Sequence, residues 1–395
     1  MARRLTLALV TETFPPEING VAMTLGRLVD GCTARGHRVR IVRPRQRHEK
    51  SVPSPEGHLL IPGLPLPRYP ELRFGLPAWC TLQRAWREET PDIVHVATEG
   101  PLGFAALGVA RHLGIPVVST FHTNFHTYTR HYGVGWLHGG IERYLRWFHN
   151  RTAATLAPTT AMAADLASRA FRDVSVLSRG VDTRLFHPGR RCPALRAQWG
   201  AADGDLVCLV VGRLAPEKNL DLALAAHAAI RAERPDAHMV FVGDGPLQAR
   251  LARAHPDCHF TGARRGEDLA AHYASADLFL FPSLTETFGN VVGEALASGL
   301  PVVAYDLAAA AELVITGENG WLVAPGEATA FVATACRAAR ELAVRPTALR
   351  DAARASVRHL DWECIHADYE AQLVGAIARH HASAACAAQV RFAPD

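Results

Sequence analysis

Lysine is almost missing from this chain. Of its 42 basic residues only Lys50 and Lys218 are lysines, and every other one is arginine. A usage bias toward arginine accounts for the imbalance and makes a surviving lysine worth locating, because a compact ammonium and a planar guanidinium are not interchangeable. No apolar run reaches the roughly 18 residues that a membrane-spanning helix needs. The apolar stretch Leu5–Val10 is too short for the core of a signal peptide and runs into Glu12 with no small-residue cleavage site, so it reads as a first buried strand. The eight cysteines never fall in a C-x-x-C spacing. That argues against a zinc module or a secreted disulfide framework, and points to reduced thiols in a cytoplasmic protein. Formal charge is only +4, so composition does not point to nucleic acid. No short internal period is visible, which excludes a solenoid.

What is there suits two soluble globular domains: 395 residues, 49% of them hydrophobic and 20% charged. Short apolar runs rich in β-formers alternate with amphipathic stretches, the pattern of parallel α/β sheets. The first half predicts strands at Leu5–Thr11, Arg38–Val42, Ile93–Val96, Pro116–Thr120, Ala154–Ala157 and Val174–Leu177. A helix over Val21–Arg35 puts Val21, Leu25, Leu28, Val29 and Cys32 on one face and stops at Gly36. Residues 43–75, with six prolines from Pro53 to Pro70, read as an irregular, partly extended loop. The second half predicts strands at Leu206–Gly212, His238–Val242, His259–Thr261, Leu278–Phe281, Pro301–Ala304 and Trp321–Val323. The expected organisation is an N-terminal domain over 1–188, a Pro- and Gly-bearing hinge over 189–205 and a C-terminal domain over 206–361. A closing helix over 362–381 returns to the first domain, and 382–395 form a tail.

Ligands of open α/β sheets bind beyond the carboxyl ends of the strands, so the polar residues there carry the argument. After the first strand comes Thr11-Glu-Thr-Phe-Pro-Pro-Glu-Ile-Asn19-Gly20, with Gly20 opening a helix where backbone N–H groups can approach an anion. After Leu206–Val211 comes Gly212-Arg213-Leu-Ala-Pro-Glu-Lys218, which sets a guanidinium fork and a point charge five residues apart, a suitable pair for a diphosphate. Two solvated surface cations are the plain alternative. After Leu278–Phe281 comes Glu286, then Gly289-Asn290 near a helix start, then Glu294 one turn in. Two carboxylates there can accept hydrogen bonds from sugar hydroxyls. A glycoside hydrolase would use such a pair for acid–base work, but has no need of the Arg213/Lys218 pair.

Glu286-x7-Glu294, with Gly-Arg213-x4-Lys218 upstream, resembles the signature of retaining glycosyltransferase family 4. The likeness runs through nearly the whole chain. It takes in Asn19-Gly20, Phe121-His122-Thr123, Val242-Gly243-Asp-Gly-Pro246, Phe260-Thr-Gly262 and Gly299-x-Pro301-Val-Val. The resemblance implies a GT-B fold, two Rossmann-like α/β domains facing across a deep cleft. It implies a nucleotide diphosphate sugar as co-substrate, no cofactor and no required metal. Carried over, Arg213 and Lys218 bind the diphosphate and Gly20 lines it. Glu286 and the backbone of Phe288, Gly289 and Asn290 hold the donor sugar, and Glu294 holds the ribose. Gly243 completes the donor loops, Gly262 and Arg264 lie near the base, and His122 sits at the reacting sugar. The implied chemistry is front-face attack with retention.

The stretch Phe121–Trp136 is rich in aromatics and hydrogen-bonding groups. With Asn19, residues Thr123, Asn124, Thr127 and Arg130 are the acceptor-binding candidates. The helix that follows mixes Trp136, Tyr144, Trp147 and Phe148 with Arg143, Arg146 and Arg151. Such a helix either packs on its own sheet with its arginines in water or lies on an anionic membrane surface. The region resembles the subgroup of GDP-mannose-dependent α-mannosyltransferases and of sulfoquinovosyl- and glucuronosyl-diacylglycerol synthases. The resemblance therefore implies a lipid or glycan acceptor and a protein peripheral to the cytoplasmic face of a membrane. A nucleotide-sugar 2-epimerase and a non-catalytic nucleotide-sugar binder are the competing functions. Asp203-Gly-Asp205 imitates a metal-binding D-x-D and reads as a turn. His122, His126, His131 and His138 lack the cysteine or spaced carboxylate of a zinc site.

Overall fold

The computed structural model describes residues 4–17, 19–46, 49, 54–66, 69–121, 138–286 and 288–391. Contacts divide the chain into two compact units, one formed by residues up to Ser178 together with those from Trp362 onward, the other by Arg179–Asp361.

The first unit is a seven-stranded sheet in the order β3-β2-β1-β6-β7-β8-β9. Its strands are β1 (Thr6–Val10), β2 (Arg38–Pro44), β3 (His58–Ile61), β6 (Ile93–Val96), β7 (Val117–Thr120), β8 (Ala154–Ala157) and β9 (Val174–Val176). All neighbouring pairs run parallel. Helices α1 (Gly20–Ala34), α2 (Trp79–Glu88), α3 (Pro101–His112), α4 (His138–His149) and α5 (Thr160–Ser168) make its crossovers. Four residues in a row of β6, β7 and β8 are buried, as strands covered on both faces must be. Asn19 starts α1 by accepting hydrogen bonds from the Val21 and Ala22 N–H groups on its side-chain oxygen, at 3.1 and 2.8 Å.

Residues 43–75 differ from the expected loop. They contain β3, paired parallel to β2, and an antiparallel pair of β4 (Gly63–Leu66) and β5 (Tyr69–Gly75). Pro65 and Pro70 fall within that pair, which stands outside the main sheet, where a missing N–H donor is tolerated.

The second unit is a six-stranded parallel sheet, order β12-β11-β10-β13-β14-β15. Its strands are β10 (Leu206–Val211), β11 (Ala237–Val242), β12 (His259–Phe260), β13 (Leu278–Phe281), β14 (Val302–Tyr305) and β15 (Gly320–Val323). Its helices are α6 (Pro193–Gln198), α7 (Leu220–Glu233), α8 (Gln248–Ala254), α9 (Gly266–Ser275), α10 (Asn290–Ala297), α11 (Ala308–Leu313), α12 (Ala328–Val344) and α13 (Pro346–Ser356).

Segment 189–205, expected as a hinge, is packed into this unit. Arg196 on α6 is 1% exposed and donates to the Ser275 carbonyl at 2.8 Å, to the Asp277 carboxylate at 2.9 Å and to the Ala202 and Asp205 carbonyls at 2.7 and 2.8 Å. Those bonds fix the segment, and the division falls instead at Ser178/Arg179 and at Asp361/Trp362. The last helix, α14 (Trp362–Arg391), belongs to the first unit and packs on α1. Gly31 of α1 makes room for His366, whose ring would lie 2.3 Å from any Cβ placed there. Tyr369 meets buried His95 at 2.6 Å, and Glu370 pairs with Arg35 at 2.6 Å.

Candidate functional site

All the expected donor residues except Gly20 lie in the second unit, on the loops that follow β10, β11, β12 and β13 and on the start of α10. After β10 the chain passes Gly212, buries Leu214 and makes one 3-10 turn over Pro216–Lys218. Asn219, with φ of 54°, then starts α7. This loop is stitched to the one after β11, since Leu214 N–H donates to the Asp244 carbonyl at 2.9 Å and Leu247 N–H to the Leu214 carbonyl at 3.0 Å. The approach is so close that a Cβ on Gly243 would lie 2.0 Å from the Gly212 carbonyl oxygen, so only glycine fits. Gly243 N–H in turn donates to the Gly262 carbonyl at 2.9 Å, which brings in the loop after β12. A fourth loop, the one after β13, joins through Glu217, whose carbonyl accepts from Leu284 N–H at 3.2 Å and from Ser283 Oγ at 3.4 Å.

The charged groups sit on this stitched platform. Lys218 Nζ is ion-paired with Glu286, with side chains 21% and 12% exposed, and lies 5.7 Å from the centre of the Phe281 ring. Arg213 is 66% exposed and ion-paired with Glu217. Gly289 caps α10 with φ of 93°, a left-handed conformation that would strain any other residue. Phe288 is buried, its carbonyl takes the Ala309 N–H at 2.7 Å, and the Arg179 guanidinium lies 5.7 Å from its ring centre. Asn290 follows, and its buried side-chain oxygen has no hydrogen-bond partner among the described residues. Such an orphan acceptor at a helix start is an opening for a ligand donor. Glu294 accepts from the Tyr273 hydroxyl at 2.9 Å, and burial pushes its carboxyl up to about 7 while the Tyr273 bond pulls it back down.

Two expected residues also have partners within the fold. Arg264 gives its guanidinium to the Thr261 carbonyl at 3.1 and 2.8 Å and to Asp268 at 3.1 Å. Asn19, an expected acceptor contact, uses its oxygen to cap α1 and its amide nitrogen to reach Thr13 Oγ1 at 2.7 Å. Gly20 is the first residue of α1, in the first unit. His122, Thr123, Asn124, Thr127 and Arg130, with His126 and His131, lie outside the described residues. Asp203-Gly-Asp205 is a turn in which Asp205 accepts from Ala202 N–H at 2.8 Å and meets His238 at 3.2 Å.

Sequence reasoning passed over Tyr273, whose periodicity marks it only as core, and Glu12. Glu12 lies just past β1 and accepts from the Gly75 and Leu102 N–H groups. Burial pushes its carboxyl up to about 7, with neighbouring Glu99 adding to the shift. Its other oxygen is buried without a hydrogen-bond partner among the described residues. Its only legible signal was a carboxylate directly after a buried strand.

Residues 18–185 match the family model described as Glycosyltransferase Family 4, and residues 205–341 the one described as Glycosyl transferases group 1. The chain is 37% identical over 328 residues to a GDP-mannose-dependent alpha-mannosyltransferase of Mycobacterium tuberculosis (strain CDC 1551 / Oshkosh), covering 81% of this chain and 84% of that one. It is 29% identical over 315 residues to an alpha-monoglucosyldiacylglycerol synthase of Streptococcus pneumoniae, covering 76% and 70%. Its fold is similar to that of the sucrose-phosphate synthase of Thermosynechococcus elongatus, with a TM-score of 0.74 at 19% identity over 93% of this chain and 98% of that one.

Proposed function

Since the chain belongs to glycosyltransferase family 4 and is a hexosyltransferase, we propose that it transfers mannose from GDP-mannose to a lipid or glycan acceptor with retention and without a metal. The observation that carries this reading is the Lys218–Glu286 ion pair beside the left-handed cap of α10. It gathers an ammonium, a carboxylate and a helix N-terminus on one platform. Breaking the bond from the anomeric carbon to the diphosphate throws negative charge onto the leaving oxygens. Lys218, Arg213 and the helix start meet that charge. The acceptor oxygen bonds to the same face of the anomeric carbon, and its proton passes to the departing phosphate. Glu286 takes hydroxyls of the sugar and Glu294 those of the ribose. Gly20 and His122 keep the roles that the resemblance gives them. The cations that neutralise the leaving group are the protein's own, so turnover is expected to survive EDTA.

Mannose and guanine rest on the mycobacterial relative. The streptococcal relative favours diacylglycerol as acceptor, and a second reading joins that acceptor to a UDP-sugar donor. A lipid acceptor fits one surface of the first unit. Trp79 of α2, Phe104 of α3 and Trp147 of α4 are 42%, 37% and 39% exposed and touch in series, with ring centres 5.8 and 5.7 Å apart. The Arg151 guanidinium lies 4.2 Å from the centre of the Trp147 ring. Exposed aromatics with a cation at their edge suit the headgroup region of an anionic bilayer. No helix among the described residues is long and apolar enough to cross a membrane. The place of action proposed, on the resemblance, is the cytoplasmic face of a membrane.

The test is incubation with GDP-mannose and with UDP-sugars, with and without candidate acceptors. Nucleoside diphosphate release that rises with acceptor supports transfer. A changed sugar without release means epimerisation, and neither means a binding protein.

A further inference from the structure

We infer that Tyr273 is a positioning residue for nucleotide recognition: its hydroxyl holds one oxygen of Glu294 and so aims the other at the ribose. This rests on the reading of Glu294 as the ribose-binding carboxylate.

Tyr273 stands on α9 and is 0% exposed. Its ring is held edge-on by Phe186, with ring centres 5.6 Å apart, and at a tilt by Phe279 at 5.9 Å. An aromatic so enclosed needs no hydroxyl to pack, and phenylalanine would fill the same space without a buried polar atom to satisfy. The hydroxyl is there, and it donates to Glu294 Oε2 at 2.9 Å. Glu294 is on α10, one turn beyond the cap at Gly289. A carboxylate free to rotate would present its oxygens to many directions. One pinned through Oε2 presents Oε1 in one direction, which is preorganisation in its simplest form.

The bond has a second effect. Burial alone drives the Glu294 carboxyl toward its protonated form, a weaker acceptor, and the Tyr273 hydrogen bond opposes that. Four charged groups on the neighbouring elements are engaged elsewhere. His272 on α9 bonds the Asp268 carbonyl, and Glu286 pairs with Lys218. Arg350 on α13 bonds the Ala274 and Ala276 carbonyls, and Arg354 those of Thr183, Phe186 and Ala297. Burial, the larger influence, and the Tyr273 hydrogen bond act on the Glu294 carboxyl in opposite directions.

The experiment is calorimetric titration of wild type and Tyr273→Phe with GDP and with 2′,3′-dideoxy-GDP, the uridine pair in parallel, from pH 6 to 9. Wild type should prefer the ribonucleotide. Tyr273→Phe should weaken it about tenfold at pH 7, the scale of a hydrogen bond to a charged group. It should leave the dideoxy nucleotide unchanged and move the affinity limb to higher pH. A merely structural tyrosine would weaken both nucleotides alike and leave the limb where it was, and that result overturns the inference. A wild type that binds both nucleotides equally, or neither, removes the ribose role of Glu294 and the inference with it. Should Tyr273→Phe fold poorly, Glu294→Gln, which keeps an oxygen for Tyr273, must abolish the pH limb. A limb that persists in that variant overturns the inference as well.

Discussion

Removing the one lysine on the donor platform separates a catalytic from a structural role for Lys218. In Lys218→Ala the Glu286 carboxylate, 12% exposed, loses its ammonium. Breaking a fully buried pair costs ~3–5 kcal/mol, whereas exposed pairs are worth ~0–1 kcal/mol. This pair lies between the two but nearer the buried limit, so a stability loss of about 2 kcal/mol is expected on the same scales. The effect on rate should be larger. A preorganised positive group facing the departing diphosphate is comparable to an oxyanion-hole donor, whose loss lowers turnover about 10²-fold. Lys218→Arg keeps the charge but places it on a longer, planar head, and should retain about a tenth of the turnover. The assay is nucleoside diphosphate release at saturating donor, with the melting temperature measured on the same samples. The fall should appear in kcat, because the interaction strengthens as the leaving group gains charge. A variant that melts early yet turns over within about threefold of wild type, against the expected 10², would show that Lys218 only holds Glu286 in place, and the account of leaving-group departure would fail.

Other expectations are independent of that one. Arg213→Ala should lower turnover at least about tenfold and leave the melting temperature unchanged, because its partner Glu217 is four residues away on an exposed turn; a thermal shift would place Arg213 in the scaffold instead. Asp277 binds Arg191, Arg196 and Arg350 at 3.0, 2.9 and 3.5 Å. Asp277→Asn should therefore destabilise by about 3 kcal/mol in urea, because it leaves the buried Arg196 charge without its counterion, while activity per folded molecule is kept. Glu12 and Glu294 have folded-state values raised from 4.5 to about 7. The stability they contribute is full below pH 4.5 and is lost as pH climbs through about 7, so Glu12→Gln should flatten the decline in melting temperature between those values, and an unchanged slope would count against a neutral Glu12. Trp147→Ala should reduce co-flotation with anionic vesicles at least several-fold, on the order of an exposed aromatic anchor, and equal flotation would move any lipid contact off that face.

The sheets were legible because a parallel strand buried on both faces is a bare apolar run, and such runs as Leu206–Val211 and Leu278–Phe281 admit no other reading once helical patterns flank them. Boundaries drifted by a residue or two, as at Thr6–Val10 against the expected Leu5–Thr11. The strands β4 and β5 were hidden by Pro65 and Pro70, and β3 by the proline-rich stretch on either side of it, because proline argues against a central strand but not against an edge or a separate pair. The hinge was misplaced for a related reason. Proline and glycine in 189–205 announce a break in secondary structure, but whether such a segment swings or packs depends on Arg196 finding Asp277 some 80 residues away, and spacing does not encode that.

The candidate donor site shows the same division between what spacing carries and what it does not. Gly212–Lys218, Gly243, Gly262 and Glu286–Glu294 could be placed near one another because each follows a strand, and parallel strands in one sheet deliver their following loops to one edge. Their pairing was not findable. Two cations five residues apart read as partners for one diphosphate, yet in the folded protein each has a carboxylate of its own, Glu217 for Arg213 and Glu286 for Lys218. The two pairs differ in what a ligand would have to do. Arg213 is exposed, so a diphosphate can draw it from Glu217 at little cost. Lys218 and Glu286 are mostly enclosed, so a donor that separated them would take an ammonium from a half-buried carboxylate, and one that bridged them would bind the ammonium through phosphate and the carboxylate through a hydroxyl at once. The platform therefore favours a ligand that carries an anion and a hydroxyl donor side by side, as a sugar joined to a diphosphate does.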